Sequence, residues 1–429
     1  MVSRPLPRPR TPRPLKALGR LIGLPTREVR GYWAQESRSI RSGSSALALG
    51  LGATLIAGIV LASAEERLEG IPGLLALIPA AIGMRGAIFG ALGSRLATGI
   101  LTGEFHRELT RGSYLRRQVE AATILSFASA TQAGVLAWVI SAALGLRTIS
   151  LLDLVAISLI GGLLSSAVLF VVVIAMARRS DAVGFNLDDV GAPIITATGD
   201  LVTLPALLLA TFVLEVPVLA TSFGAVGLVV GLAAVVYGLR SRDARVRRIV
   251  KESLIVLTIA VTIDVFAGVV VEARAEEQFG AAALLVLIPP FIANCGSLGG
   301  MLSSRLASKL HLGQLQARLR PGKLAVLDFS LTALLALLAF GGVGAAGWLA
   351  ALLVPGVDPL SLPMTLSVTL LAGLFALPIL SGAAYLSAAT SFRFGFDPDN
   401  HGIPIVTATM DLTGVLCLLA AIALLPLST

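Results

Sequence analysis

Histidine and cysteine are nearly missing from this chain. In 429 residues there are three histidines, His106, His311 and His401, and two cysteines, Cys295 and Cys417. The histidines are scattered and both cysteines lie in apolar stretches. That excludes a disulfide framework and the His/Cys spacings of zinc, nickel or copper centres. Any metal chemistry therefore falls to oxygen ligands. Charge is also scarce, at 14% of residues against about 25% in an average soluble domain. No nucleophile motif and no large polar domain are present, so the chain reads as a non-enzyme with no organic cofactor. The ten-residue alternation of a transmembrane β-barrel is absent, and no short apolar segment with a cleavage site marks a cleaved signal peptide.

What the chain has instead is apolar length. Hydrophobic residues make up 56% and the mean hydropathy is +0.89. Crossing about 30 Å of hydrocarbon takes roughly 20 apolar residues in a helix. Eleven stretches qualify, with cores near 45–63, 71–101, 120–145, 151–177, 193–214, 217–239, 252–272, 281–308, 323–353, 360–390 and 404–427. The predicted fold is an all-α polytopic membrane protein whose solvent is the lipid bilayer.

Charge in the connections fixes a sidedness. Segments 1–44, 102–119, 178–192, 240–251, 309–323 and 391–403 hold 27 of the 33 Lys and Arg. The opposite side carries only Arg67, Arg147 and Arg274, with acidic loops at 64–70 and 272–280. The positive-inside rule then puts the N-terminus in the cytoplasm and the C-terminus outside, in an integral protein of the cell membrane. The net charge of +8 is a feature of these loops and does not call for nucleic acid. Residues 1–44 read as a basic, Pro/Arg-rich cytoplasmic tail in which 15–22 suits a short amphipathic helix on anionic lipid.

The chain repeats itself. "IPAAIGMRGAIFGALGSRLAT" at 78–98 aligns without gaps to "IPPFIANCGSLGGMLSSRLAS" at 288–308. "FNLDDVGAPIITATGDL" at 185–201 aligns to "FDPDNHGIPIVTATMDL" at 396–412. The expected division is a first five-helix repeat at 45–215, a linking helix at 216–240 and a second repeat at 241–429. Five helices alone would invert the second copy. The linking helix restores parity, so the repeats are parallel and related by a pseudo-two-fold axis along the membrane normal. One chain is then a fused pseudo-dimer.

Polar residues inside such helices are costly and usually functional. Asp200 and Asp411 sit at matching repeat positions, seven residues after Pro193 and Pro404, with Thr196 and Thr407 one turn earlier on the same face. Two carboxylates at equal depth repel unless a cation or proton lies between them, which makes the pair a metal site. Asp264, opposite Thr54 in the alignment, is a candidate second ion or proton site. Asp188, Asp189, Asp397, Asp399 and Asn400 are either helix caps or a cation-attracting cytoplasmic mouth. In the repeat motif, Gly86/Gly90 and Gly296/Gly300 read as small-residue pairs for close helix packing. Pro79 and Pro289 open the motif. Arg95 and Arg305 read as snorkelling to the interface or bonding carbonyl groups. Arg85, aligned with Cys295, has no evident role.

The Pro, Gly and Ser-Arg-Leu positions of the second helix, with Thr-x-x-x-Asp-Leu in the fifth, resemble the MgtE-type divalent cation transporter domain. The duplication resembles solute carrier family 41. This resemblance implies transport of Mg²⁺ between the two repeats, with Asp200 and Asp411 as central ligands and Thr196 and Thr407 beside the ion. Departures are visible: where the family often carries Asn and Glu in the second helix, this chain has Ala87 and Phe89, then Ser297 and Gly299. The short tail also leaves no room for the family's large regulatory domains. Two other readings stay open: a proton- or sodium-coupled carrier of another cation or small solute, and a membrane-embedded enzyme or scaffold.

Overall fold

A computed structural model describes residues 25–64, 67–68, 70–105, 110, 112–183, 187–278, 286–318, 320–354, 360–394 and 402–425. Those residues are almost wholly helical. A short helix, α1 (Thr26–Gln35), precedes α2 (Ser37–Ser63), α3 (Leu74–Leu101), α4 (Tyr114–Ala143), α5 (Leu151–Val183) and α6 (Leu187–Ala210). Then come α7 (Pro217–Leu239), α8 (Ala244–Gln278), α9 (Ile288–His311), α10 (Lys323–Ala351), α11 (Leu362–Phe394) and α12 (Ile403–Leu424). Among the described residues ten helices are long and apolar enough to span a bilayer. The eleventh, α9, carries Asn294, Arg305 and Lys309 and falls outside that set. The protein is a polytopic all-α membrane protein.

Small residues set the packing, as expected where lipid gives no hydrophobic drive to helix association. Gly58 of α2 lies against the backbone of Val286, and Gly268 of α8 lies against the backbone of Ala76. These are the same two repeat positions, each pair shifted by 210 residues. Gly134 of α4 meets Val155 of α5, and its counterpart Gly344 of α10 meets Leu366 of α11. Equivalent contacts recur, so equivalent helices are packed equivalently. The first helix of each repeat is seated largely in the other: α2 packs on α9 and α10, while α8 packs on α3 and α4. Each also touches the last helix of its own repeat, α2 on α6 and α8 on α12.

The linking helix α7 presents a buried stripe of Gly224, Gly227, Gly231 and Gly238 to α4 and α5. Thr131 donates to the Gly227 carbonyl at 3.2 Å. Its other face exposes Val218, Phe223, Val226, Val229 and Leu232, a surface for acyl chains. At the start of α3, Gly73 adopts φ 93°. Its N–H donates to Glu272 of α8, and the same carboxylate accepts from the Ala76 N–H at 3.0 Å. A carboxylate from one repeat thus caps a helix of the other, where orphan N–H groups and the helix dipole favour negative charge.

The stretch read as tail is helical from Thr26 onwards. Val29, Tyr32 and Trp33 recur at helical spacing and face the second repeat. Tyr32 donates to Asp328 of α10 at 2.5 Å, and Trp33 Nε1 donates to Ser330 Oγ at 3.1 Å. Asp328 is fully buried and also accepts from Lys309 at 2.7 Å and Arg305 at 3.0 Å. Arg305 further pairs with Glu36 at 3.1 Å. Burial, then the hydrogen bond to Asp328 and its charge, push the Tyr32 phenol up. Burial works against ionised Glu36, but the Ser39 hydrogen bond and the Arg305 charge outweigh it and hold the carboxyl below its ordinary value. Residues 15–22, expected as a lipid-bound helix, lie outside the described residues.

Candidate ion site between the repeats

Three aspartates reach the repeat boundary. Asp200 of α6 and Asp264 of α8 are 6% and 1% exposed, and Asp411 of α12 is partly buried. The carboxyls of Asp264 and Asp411 come within hydrogen-bonding reach of each other, and Asp200 is near enough to Asp411 to act on it electrostatically. Both Asp264 and Asp411 crowd Gly83 of α3. A Cβ built on Gly83 falls on the Asp264 carboxylate and lies 3.5 Å from Asp411 Oδ2. On the other flank, a Cβ on Gly296 of α9 lies 3.6 Å from Asp411 Oδ1 and 3.7 Å from Thr407. Asp264 Oδ1 is buried and has no protein partner.

The hydroxyl of Thr407 donates to the Pro404 carbonyl at 3.0 Å, which leaves the oxygen's lone pairs free to face a ligand. Thr196 is half-buried one turn before Asp200. Thr54, the counterpart of Asp264, bonds back to Gly50 and Leu51 of its own helix. The acid at this level is therefore one-sided. Cys295 lies near both Asp411 and Cys417, and a Cβ on Gly414 would be 3.4 Å from its sulfur. Both thiols are free and buried.

Several expected roles change. Among the described residues a Cβ at Gly86 or Gly90 meets no atom within 4 Å, so no close packing is seen at either. They follow Gly83 along one face of α3, so small size there keeps a lane open and does not bring helices together. In the second repeat, Gly300 does sit close, 3.5 Å from Ile403. Arg95 and Arg305 bond side chains on the next helix: Arg95 donates to Gln118 at 2.7 Å, and Arg305 pairs with Asp328 as above. The two pairs are 23 residues apart in sequence in both repeats. Among the described residues both arginines therefore bond a side chain of the neighbouring helix and not a backbone carbonyl group. Pro79 lies inside α3 and Pro289 in the first turn of α9. Pro404 opens α12 as expected, whereas α6 begins at Leu187 and takes in Pro193.

Asp188 and Asp189 fall in the first turn of α6, but their side chains are not described. Asp397, Asp399 and Asn400 lie outside the described residues. Gly83 was missed in the sequence, although the signal was there. In the gapless alignment Gly83 faces Ala293, and Asp264 faces Thr54. The smaller residue on the second helix goes with the longer one on the first.

Acids converging between two fused helical repeats, inside apolar helices, define a membrane transport protein for cations. The chain belongs to the MgtE family of divalent cation transporters, whose model matches residues 78–210 and 288–421. It is 26% identical to solute carrier family 41 member 3 of Rattus norvegicus over 400 residues, covering 85% of this chain and 82% of that protein. It is 25% identical to solute carrier family 41 member 2 of Xenopus laevis over 396 residues, covering 84% and 67%. The human member 2 matches at 25% over the same length, covering 84% and 66%. No solved structure matches the chain.

Proposed function

We propose that this protein carries Mg²⁺ across the cell membrane along the boundary between its two repeats, 45–215 and 241–429, with 216–240 as the link. Asp200 and Asp411 are the central ligands, Thr196 and Thr407 line the ion, and Asp264 is the third acid. The observation that carries this reading is the meeting of Asp264 and Asp411 at Gly83, with Asp200 alongside. Carboxylates brought together in a low-dielectric interior repel unless a cation or a proton lies among them, and a cation path supplies the first.

Among the described residues no three His, Cys, Asp or Glu side chains are grouped closely enough to cage a bare metal. That supports a hydrated ion. Mg²⁺ gives up its octahedral waters reluctantly and is usually held by one or two carboxylates with waters retained. The open lane at Gly86 and Gly90 leaves room for such a shell. The lopsided basic loops support a cytoplasmic N-terminus.

The test is growth of cells lacking their own magnesium uptake, together with Mg²⁺ flux in liposomes. Wild type should restore growth at low Mg²⁺ and move the ion, and Asp200→Asn with Asp411→Asn should do neither. A wild type that reaches the membrane yet moves no Mg²⁺ sinks the proposal. Flux that requires an opposing Na⁺ or H⁺ gradient makes the protein a coupled carrier.

A further inference from the structure

We propose that Arg85 holds a small monovalent anion of the halide class inside the first repeat, at a site separate from the three aspartates. Arg85 follows Gly83 by two residues, about 200° round the helix, and so turns away from Asp264 towards α5. Its side chain is 0% exposed. Nε donates to Ser165 Oγ at 3.0 Å, while Nη1 and Nη2 have no protein partner. The backbone has been cleared for this group: a Cβ on Gly162 would fall on Nη2, 3.4 Å from Cζ and 3.1 Å from Ala130 Cβ.

Among the described residues no carboxylate pairs with Arg85, whose one protein partner is Ser165. Glu120 on α4 is ten residues from Ala130, and Asp153 on α5 is nine from Gly162, each about 14 Å along its helix. Asp200 is level with Leu169, because its neighbour Gly199 meets that side chain at 4.0 Å. That is two turns from Gly162. Hydroxyls are plentiful instead. Ser158 donates to the Ala130 carbonyl at 2.6 Å, which together with Gly134 on Val155 sets an antiparallel register. In that register Ser126 is level with Gly162 itself, and Ser165 and Ser166 lie about one turn further along α5. Ser126 and Ser166 are both buried with hydroxyls that have no protein partner.

An unpaired guanidinium in such a setting is too costly to leave uncompensated. One positive charge, two free N–H-bearing nitrogens and neighbouring hydroxyl donors fit one small anion. The second repeat has Cys295 at this position and so lacks the equivalent guanidinium.

The test is thermal unfolding of the purified protein in chloride, bromide, gluconate and sulfate at matched ionic strength. Chloride and bromide should raise the midpoint saturably, by about 3 °C at a hundredfold excess over the dissociation constant. Gluconate and sulfate should not. Arg85→Gln should abolish the halide effect. Because that variant also disturbs folding, Gly162→Ala is the second: its methyl takes the place of Nη2 and should abolish the effect too. Bromide anomalous density beside the Arg85 guanidinium of wild type is the direct check. A midpoint that rises equally in all four salts, a halide effect kept by Gly162→Ala, or no anomalous peak at Arg85 overturns the proposal. None of these readouts depends on Mg²⁺ flux.

Discussion

Gly83→Ala perturbs the aspartates without altering any charge. The added methyl would coincide with the Asp264 carboxylate, lie 3.1 Å from its Cγ, and stand 3.5 Å from Asp411 Oδ2. Asp264 comes from α8, itself wedged against α3 by Gly268 on Ala76, so it has little room to retreat. Forcing a methylene-sized group into a packed interior costs about 1–3 kcal/mol. If that cost falls on the arrangement that binds the ion, affinity drops by roughly 5- to 150-fold. Isothermal titration of Mg²⁺ into purified protein measures this, with thermal unfolding for stability. Gly86→Ala and Gly90→Ala are the internal controls, because a methyl at either meets nothing within 4 Å among the described residues. They should raise stability by about 0.5–1 kcal/mol through helix propensity. The double variant Gly83→Ala/Asp264→Thr recreates the Ala293/Thr54 pair of the second repeat and should regain the stability that Gly83→Ala loses, a coupling of about 1–3 kcal/mol. Wild-type behaviour of Gly83→Ala, or equal losses at Gly83 and Gly86, would refute the geometry.

Three further outcomes follow. Asp328→Asn leaves Arg305 and Lys309 without their buried counter-charge and should cost about 3–5 kcal/mol in urea unfolding, whereas Gln118→Ala at the equivalent position of the first repeat should cost less. Tyr32→Phe removes one donor from Asp328 and should loosen α1, seen as a shift in Trp33 fluorescence when Trp138 and Trp348 are replaced by Phe. Asp243 is held below its ordinary value. Burial opposes this, but the Arg245 and Val246 N–H groups and Arg117 at 2.6 Å prevail. Asp243 and Glu36 therefore contribute stability that is complete above about pH 5. It is lost as pH falls through their lowered values, so Asp243→Asn and Glu36→Gln should flatten the acid limb of an unfolding curve, and unchanged limbs would contradict these assignments.

The helices were readable because a bilayer imposes length and apolarity on every span, and the basic loops punctuate them. The repeat marks Asp200 and Asp411 as equivalent positions, but the carboxyl that comes within bonding reach of Asp411 is that of Asp264. What lay beyond the sequence was rotation about each helix axis. Asp264 was visible as an acid in α8, but nothing local says it points at Asp411. Gly86 and Gly90 match a packing motif by spacing alone, and spacing cannot tell a tight face from an open one. Helix α1 is masked in the sequence by the Pro–Arg composition of the first residues, and its signal is the three-residue stripe of Val29, Tyr32 and Trp33. Helix starts moved towards the basic loops, as at Tyr114 and Ala244, since a membrane-length argument does not see the turns that project into water.

The exchange of first helices between the repeats has a consequence for how the chain comes to exist. Cut in the loop before α8, it yields two fragments, each holding a helix whose main seat is in the other. Neither half then has a finished interior of its own. During synthesis the first repeat waits, with the face of α3 that meets α8 and the start of that helix uncapped, until Glu272 emerges. Assembly is for that reason completed late, when the second repeat brings α8 and Glu272 to the first.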